Sequence, residues 1–416
     1  MVTPAVDTSF VPGEAIPGNL GRTGELITPH GSVATPAFTP VGTLATVKSL
    51  TPEHLAEAGS QAVLANAYHL YLQPGPGVVD EAGGVGSFMR WSGPTFTDSG
   101  GFQVMSLATR SRKVIDMEGG GDRAVARDAD RVRIDDDGVT FRSHRDGTLH
   151  RFTPEISIAV QHQLGADVMF AFDELTTLHD DLAHQTRAVE RTERWAWRCL
   201  VEHARQTDSR ADRPRQSLWA VVQGANHERL RRSATRGLLA LGRRAGDDLG
   251  RGFGGVGIGG AIEKARLGEI VAWCCEELPE DMPRHLLGIS EPEDIFAGVE
   301  AGADTFDCVA PTRIARHAQI LTSRGRVRLT NARFRHDHRP LDADHPCEWA
   351  RAYSRAYLHH LFKAGEMLGL VIASMINVSF VNHLMAEIRA AITAGTYPEF
   401  KREVLTRYAE GGSDRD

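Results

Sequence analysis

Paired cysteine is the first thing this sequence lacks. Its 416 residues hold 5 cysteines (Cys199, Cys274, Cys275, Cys308 and Cys347), an odd and scattered set. In a long chain that pattern reads as reduced thiols, which excludes a disulfide framework. Long hydrophobic runs are missing as well: no apolar stretch reaches membrane-spanning length and no basic–apolar leader opens the chain. The expectation is therefore a cytoplasmic protein with no membrane partner. Positive charge is not in excess. A formal net charge of −7 excludes wholesale attraction to nucleic acid but leaves a local basic face open, because binding depends on where charge sits. No internal repeat or low-complexity tract is visible.

What is present is a rhythm. Short apolar segments recur, each ending in a polar residue or glycine: ATPAFTPVG, QAVLANAY, TFTDSGG, DVMFAFDE, LWAVVQG, FGGVGIGG, RHLLGIS and DTFDCV. Helical signals lie between most of them. TPEHLAEAG and TPEISIAVQHQLG each start with Thr as N-cap and Pro at the first helical position, and SEPEDIFAGVEAG carries Ser290 and Glu293 at capping-box spacing. Strand–helix alternation implies a parallel sheet with helices outside it, and eight candidate strands close naturally into a (β/α)8 TIM barrel. An open doubly wound sheet is the competing reading.

Residues 1–30, rich in Pro, Gly and Thr, are expected to be an irregular N-terminal segment. The barrel core is expected over residues 31–311, with a charged, glycine-rich insertion or hairpin at about 108–150. Residues 312–416 are read as a basic subdomain followed by C-terminal helices that complete the barrel, and its TRIARHAQILTSRGRVRLTNARFRHDHRP run is dense in arginine.

In such a barrel the C-terminal ends of all strands open onto one mouth, and chemistry sits there. The residues ending these segments include Asn66, Asp98, Asp173, Gln223, Gly259, Gly260, Ser290 and Asp307. Carboxylates and amides can read the edge of a planar heterocycle, and glycines let backbone N–H groups reach its carbonyl oxygen. Two carboxylates near one sugar carbon can divide the work of nucleophile and general acid/base. Each residue also has a local reading: Asp98 as turn chemistry before Ser-Gly-Gly, Asp173 and Asp307 as helix caps. Capping does not require the same end of successive strands to be acidic.

The strings WSGPTFTDSGGFQVMSL, NAYHL, FRSHRDGT, VVQG, GIGG, HLLGISEPEDIFAGVEAGADTFDCVAPTR, LTNARF and YSRAYLHHL run through nearly the whole chain. In them the chain resembles the tRNA-guanine transglycosylases, which exchange guanine at the wobble position of the tRNA anticodon loop for a 7-deazaguanine base. The resemblance implies a (β/α)8 barrel with a small zinc-binding subdomain near its C-terminal end, usually as a homodimer. It implies Asp307 as the nucleophile that forms a covalent intermediate with the ribose and Asp98 as the general acid/base. Asp173, Gln223 and the backbone at Gly260 would read the base, Phe102 and Leu287 would sandwich it, and Arg313 and Arg316 would hold tRNA phosphates.

Two departures stand out. The family's zinc is held by a C-x-C-x2-C set and one later histidine; the matching positions here are His345, Cys347, Ala350 and Ile376. Two donors remain of the four that structural zinc needs, so no metal is expected, with Trp349 and Ile376 packing into that space. At the sixth strand the family's longer Gly-Gly-Leu-Ala-Val-Gly-Glu is replaced by Gly259, Gly260, Ala261, Ile262, Glu263, Lys264. That leaves preQ1, queuine and preQ0 open as the incoming base. Residues 112–137 are also longer than the family's connection. Alternatives to the tRNA reading are a relative using the same chemistry on DNA and a non-catalytic tRNA-binding subunit.

Overall fold

The computed structural model describes residues 8–107 and 132–410. Eight short strands of almost wholly buried residues build its centre: β1 Ala37–Gly42, β2 Val63–Ala65, β3 Thr95–Thr97, β4 Val168–Phe170, β5 Ser217–Val222, β6 Gly255–Ile258, β7 Arg284–Leu286 and β8 Thr305–Cys308. Parallel strands are covered on both faces, which is why each reads as an apolar run and not as an alternation. Every neighbouring pair is parallel, and β8 pairs with β1 to close the ring in sequence order. The predicted (β/α)8 barrel is therefore the fold, and the eight strands are the eight apolar segments named from sequence.

Helix starts follow the predicted caps in two cases. Thr51 opens Pro52–Glu57, accepting from the His54 amide, and Thr153 opens Pro154–Leu164, accepting from that of Ile156. The Ser290–Glu293 capping box does not form. The helix Pro292–Glu300 begins one residue later, at Glu291 with no side-chain cap, and Ser290 instead bonds the Cys308 thiol.

Within the N-terminal segment expected to be irregular, the described residues form strands. Ser9–Ala15, Arg22–Thr28 and Gly31–Thr35 form an antiparallel sheet. Its apolar side chains Phe10, Leu26 and Val33 pack with Phe96, Phe170 and Trp219 from the barrel interior, so the sheet plugs the N-terminal end of the barrel. Gly24 permits this closeness, because a Cβ there would collide with the Phe10 ring. Arg22 locks the plug. Its Nε and Nη2 donate to the two oxygens of Asp304, each at 2.9 Å, and Nη2 also reaches the Met282 carbonyl at 3.1 Å.

Between β3 and β4 the described part of the insertion is a three-stranded antiparallel sheet, Val132–Asp135, Gly138–Arg142 and Leu149–Phe152. The charged tract 108–131, including most of the lengthened connection 112–137, lies outside the described residues. After β8 the chain leaves the barrel for a subdomain. It comprises the helix Ala310–Ala315, the hairpin Gln319–Thr322 with Gly325–Arg328, and the helices Glu348–Ala352 and Arg355–Ala364. The chain then returns as the long helix Met367–Thr393, which packs against β1 in the place of the eighth barrel helix. That helix corrects the expectation that no segment reaches membrane length: by length and hydropathy it could span a bilayer. Here 72% of its apolar window is buried inside the fold, where Asn377 binds the Pro311 and Gln319 carbonyls, each at 3.0 Å.

Breaking the Arg22–Asp304 pair should loosen the plug. Removing one partner strands a buried charge, so Asp304→Ala and Arg22→Ala should each lose roughly 3–5 kcal/mol of unfolding free energy. The double substitution should lose much less than the sum. Denaturant melts of the three variants measure this, and full additivity would show that the two groups do not act as a pair.

Candidate functional site

Asp98 follows β3 directly and faces the start of the next layer. The helix Ala67–Leu72 begins after Asn66, and Asn66 does not cap it, because its Nδ2 donates to Asp98 Oδ2 instead. The Ala67 amide donates to Oδ1 at 2.8 Å and Gln103 Nε2 to Oδ2 at 2.9 Å. Three donors would hold the carboxylate ionised, but burial outweighs them. Desolvation pushes Asp98 up to about 6, and the Asp307 charge adds to the rise.

Asp307 comes from β8, where the barrel closes. Its Oδ1 accepts from the Gly288 amide at 3.1 Å and lies 3.0 Å from His285 Nε2. Among the described residues no hydrogen bond falls on Oδ2, and the side chain keeps 13% exposure. One oxygen is held from two sides and the other is not.

A second network lies beside the first. Ser99 Oγ donates to Asp173 Oδ1 at 3.0 Å, and Gln223 Nε2 donates to Asp173 Oδ2 at 2.6 Å. Burial again dominates and pushes Asp173 up to about 6. Gly260, at φ +83°, backs directly onto this pair; a Cβ there would collide with Gln223 Oε1. Gly259 touches Leu287 in the same way, a Cβ there falling 2.9 Å from its side chain. Gly100, at φ +78°, lets the chain turn into the helix Gly101–Leu107, and a Cβ on Gly101 would lie 3.0 Å from the Asp173 carbonyl. Both glycines of the TDSGG string are thus needed for approach. Buried Gln223 Oε1 has no partner, so it is an acceptor already stripped of water.

The structure therefore brings Asp98, Asp173, Gln223, Gly260, Leu287 and Asp307 to one mouth. Phe102 stands at its edge with 47% of its surface exposed and no aromatic partner among the described residues. Sequence reasoning did not single out Ser99, Gln103, His285 or the Gly288 amide. Nor did it single out Arg231, fully buried, whose Nη1 donates to the Val222 carbonyl at 3.0 Å and that of Gly259 at 2.7 Å. Ser99 and Gln103 carried a signal, by their place inside TDSGGFQV. A cavity of about 290 Å³ beside His162, Arg210 and Arg251 lies at the opposite, N-terminal end of the strands and contains none of these residues.

The description "Queuine tRNA-ribosyltransferase" matches residues 18–410. The chain belongs to the queuine tRNA-ribosyltransferase family. It is similar to the queuine tRNA-ribosyltransferase of Symbiobacterium thermophilum, at 43% identity over 96% of this chain and 91% of the relative. It is also similar to that of Halothermothrix orenii, at 41% over 94% and 95%, and to that of Streptococcus pyogenes, at 40% over 95% of each.

A queuine tRNA-ribosyltransferase must meet RNA, and some of the arginines beyond β8 are already paired. Arg326 pairs with Glu291, Arg339 with Asp337 and Arg324 with Asp344, so these charges are largely compensated. Arg313, exposed on the helix after the Asp307 strand, has no ion pair among the described residues. Arg316, half-buried beside it, has an unpartnered Nη1, and burial followed by the Arg313 charge lowers its basicity. Two adjacent, uncompensated guanidinium groups next to the mouth favour an anion.

The family's zinc does not fit this chain. His345 and Cys347 are buried, but Ala350 and Ile376 are fully buried hydrocarbon where two donors would be required. His345 Nδ1 already accepts from the Cys347 amide at 3.0 Å, and its ring lies 5.8 Å from Phe380. His359 is committed to the Leu329 carbonyl at 2.7 Å. No cluster of three metal-binding side chains occurs among the described residues. The subdomain is held instead by Leu341, Ala350, Leu358, Leu361, Ile372 and Ile376 in one apolar cluster. Purified protein should therefore contain far less than one zinc per chain and keep its melting temperature in chelator. Stoichiometric zinc by elemental analysis, with unfolding on its removal, would overturn this.

Proposed function

We propose that this protein is a tRNA-guanine transglycosylase that replaces guanine at the wobble position of the anticodon loop with a 7-deazaguanine base, preQ1, queuine or preQ0. The observation that carries the reading is the unequal pair of carboxylates at the barrel mouth. Asp307 is held through one oxygen only, while Asp98 is poised near neutral pH by burial and feels the Asp307 charge.

The chemistry follows as a double displacement. Asp307 Oδ2 attacks ribose C1′, the bond from C1′ to the guanine nitrogen breaks, and its electron pair leaves with guanine, which Asp98 protonates. The incoming base then gives a proton to Asp98 and attacks C1′, and the electron pair of the ester bond returns to Asp307. A group that must both give and take a proton works best with a pKa near the working pH. Asp173, the unpartnered Gln223 oxygen and the Gly260 backbone offer acceptors and a donor to the edge of the base, and Phe102 and Leu287 offer its faces. The base must be unstacked from RNA to enter, which an anticodon loop permits and a paired helix does not. A homodimer is part of this proposal: Met367 and Leu368, adjacent at the start of the long helix, leave apolar side chains exposed. The five free cysteines fit work in the cytoplasm, where tRNA is found.

Labelled guanine offered with separate tRNA and DNA pools tests the substrate; label should enter tRNA. Asp307→Asn should lose both exchange and the denaturant-resistant RNA adduct while still binding RNA, and an adduct that persists refutes its role. Capture of the incoming base requires ionised Asp98. Its rate from preformed adduct should fall as pH drops below about 6, since esterified Asp307 no longer adds its charge to the rise, and this acid limb should vanish in Asp98→Asn along with roughly 10²–10⁴-fold of the rate.

Replacing Arg313 and Arg316 together with Ala should weaken tRNA binding and flatten its salt dependence, by roughly 0.7 in the log–log slope for each phosphate that is no longer neutralised. An unchanged slope would place the phosphate-binding groups elsewhere.

A further inference from the structure

One buried group at the site has no part in the mechanism above. His285 lies in the middle of β7 with no exposed surface, directly opposite Thr305 in the β7–β8 register. Thr305 and Asp307, two residues apart on β8, present the same face, so the imidazole is contacted by both. Nδ1 is 2.9 Å from Thr305 Oγ1 and Nε2 is 3.0 Å from Asp307 Oδ1. Phe170, at 5.1 Å between ring centres, and Phe96, at 5.8 Å, wall the ring off.

The chemistry of the two neighbours sets the tautomer. An ionised carboxylate can only accept, so Nε2 carries a proton toward Asp307, and in that tautomer Nδ1 accepts a hydrogen bond from the Thr305 hydroxyl. The Gly288 amide donates to the same Oδ1. Two fixed donors thus converge on one oxygen of Asp307 in a site sheltered from water, where such bonds act most strongly.

We propose that His285 is the positioning residue of the covalent step; this rests on Asp307 being the nucleophile. With Oδ1 tethered by His285 and Gly288, Oδ2 is the oxygen that forms the bond to C1′. In the resulting ester Oδ1 is the carbonyl oxygen and remains in the grip of the same two donors. When the incoming base attacks C1′, the Oδ2–C1′ bond breaks and its electron pair returns to the carboxylate. The donors lower the cost of that charge in breakdown; in formation, where charge leaves Asp307, their part is to hold Oδ2 toward C1′.

The test measures the two half-reactions separately in the full-length protein: guanine release with adduct formation on tRNA, and adduct resolution on adding guanine. His285→Phe keeps an aromatic ring but removes the donor. It should slow adduct resolution by roughly 10²–10³-fold, the cost of losing one such donor where charge develops, and slow formation by less but at least threefold, with KM for tRNA changed less than threefold. His285→Gln, whose amide nitrogen reaches the Nε2 position, should recover most of both rates. Thr305→Val, nearly isosteric, leaves Nδ1 without its hydrogen-bond partner and should slow both steps at least threefold. This variant decides the matter if the Phe protein fails to fold. A folded His285→Phe enzyme within threefold of the parent, a Gln variant no better than Phe, or parent-like rates in Thr305→Val would each overturn the proposal. Asp307→Asn is the control that separates the two ideas. An adduct in that variant removes the nucleophile reading itself, whereas its absence beside fully active His285 variants removes only the role of His285.

Discussion

Closure of the barrel between β8 and β1 is the constraint on which the rest depends. Asp307 pairs in register with Thr39 across that seam, and the Thr39 hydroxyl donates to the Phe306 carbonyl at 2.9 Å. Because all eight strands run the same way, closing the ring brings residues more than two hundred positions apart to one rim. A slip of one residue at the seam would turn Asp307 to the outer face of the sheet, since side chains alternate along a strand. The plug of antiparallel strands at the other end, tied by Arg22 and Asp304, fills the barrel from below.

The site works against the stability of its own surroundings. Asp98 and Asp173 are both raised to about 6 by burial, well above an ordinary aspartate. A carboxylate whose folded-state pKa lies above its unfolded value costs stability at neutral pH, and the cost is relieved as pH falls through about 6. Each raised unit corresponds to about 1.4 kcal/mol between protonation states. The surrounding donors, Asn66, Gln103, Ser99 and Gln223, reduce this cost without removing it. Function accounts for keeping such groups where a hydrocarbon would pack more favourably.

Much of this was legible in the sequence for a physical reason. Strands buried on both faces appear as apolar runs, and their last residues appear as abrupt polar stops, so β1–β8 and Asp98, Asp173, Gln223 and Asp307 could be read directly. His285 could not. It is one polar residue inside the apolar run RHLLGIS, and its partner Asp307 becomes its neighbour only through strand pairing. Arg231 was hidden for a similar reason: on a helix rich in arginine nothing marks the one that turns inward to the Val222 and Gly259 carbonyls. The N-terminal strands were missed because their Pro, Gly and Thr content resembles loop, while their pairing comes from the plug they form. The Ser290 capping box failed because a thiol on the adjacent strand competed for that hydroxyl.

The helix Met367–Thr393 has a consequence for the order in which the molecule can be made. It supplies Phe380, Val381 and Leu384 to the same apolar cluster as Phe38 on β1 and Phe306 on β8. Residues 309–366 stand between β8 and the helix that covers it. On the ribosome, at about 5–20 residues per second, the seam between first and last strands therefore stays uncovered for several seconds after β8 has been synthesised. A nascent chain halted within the subdomain thus holds Asp98, Asp173, Gln223 and Asp307 and still lacks a sealed barrel.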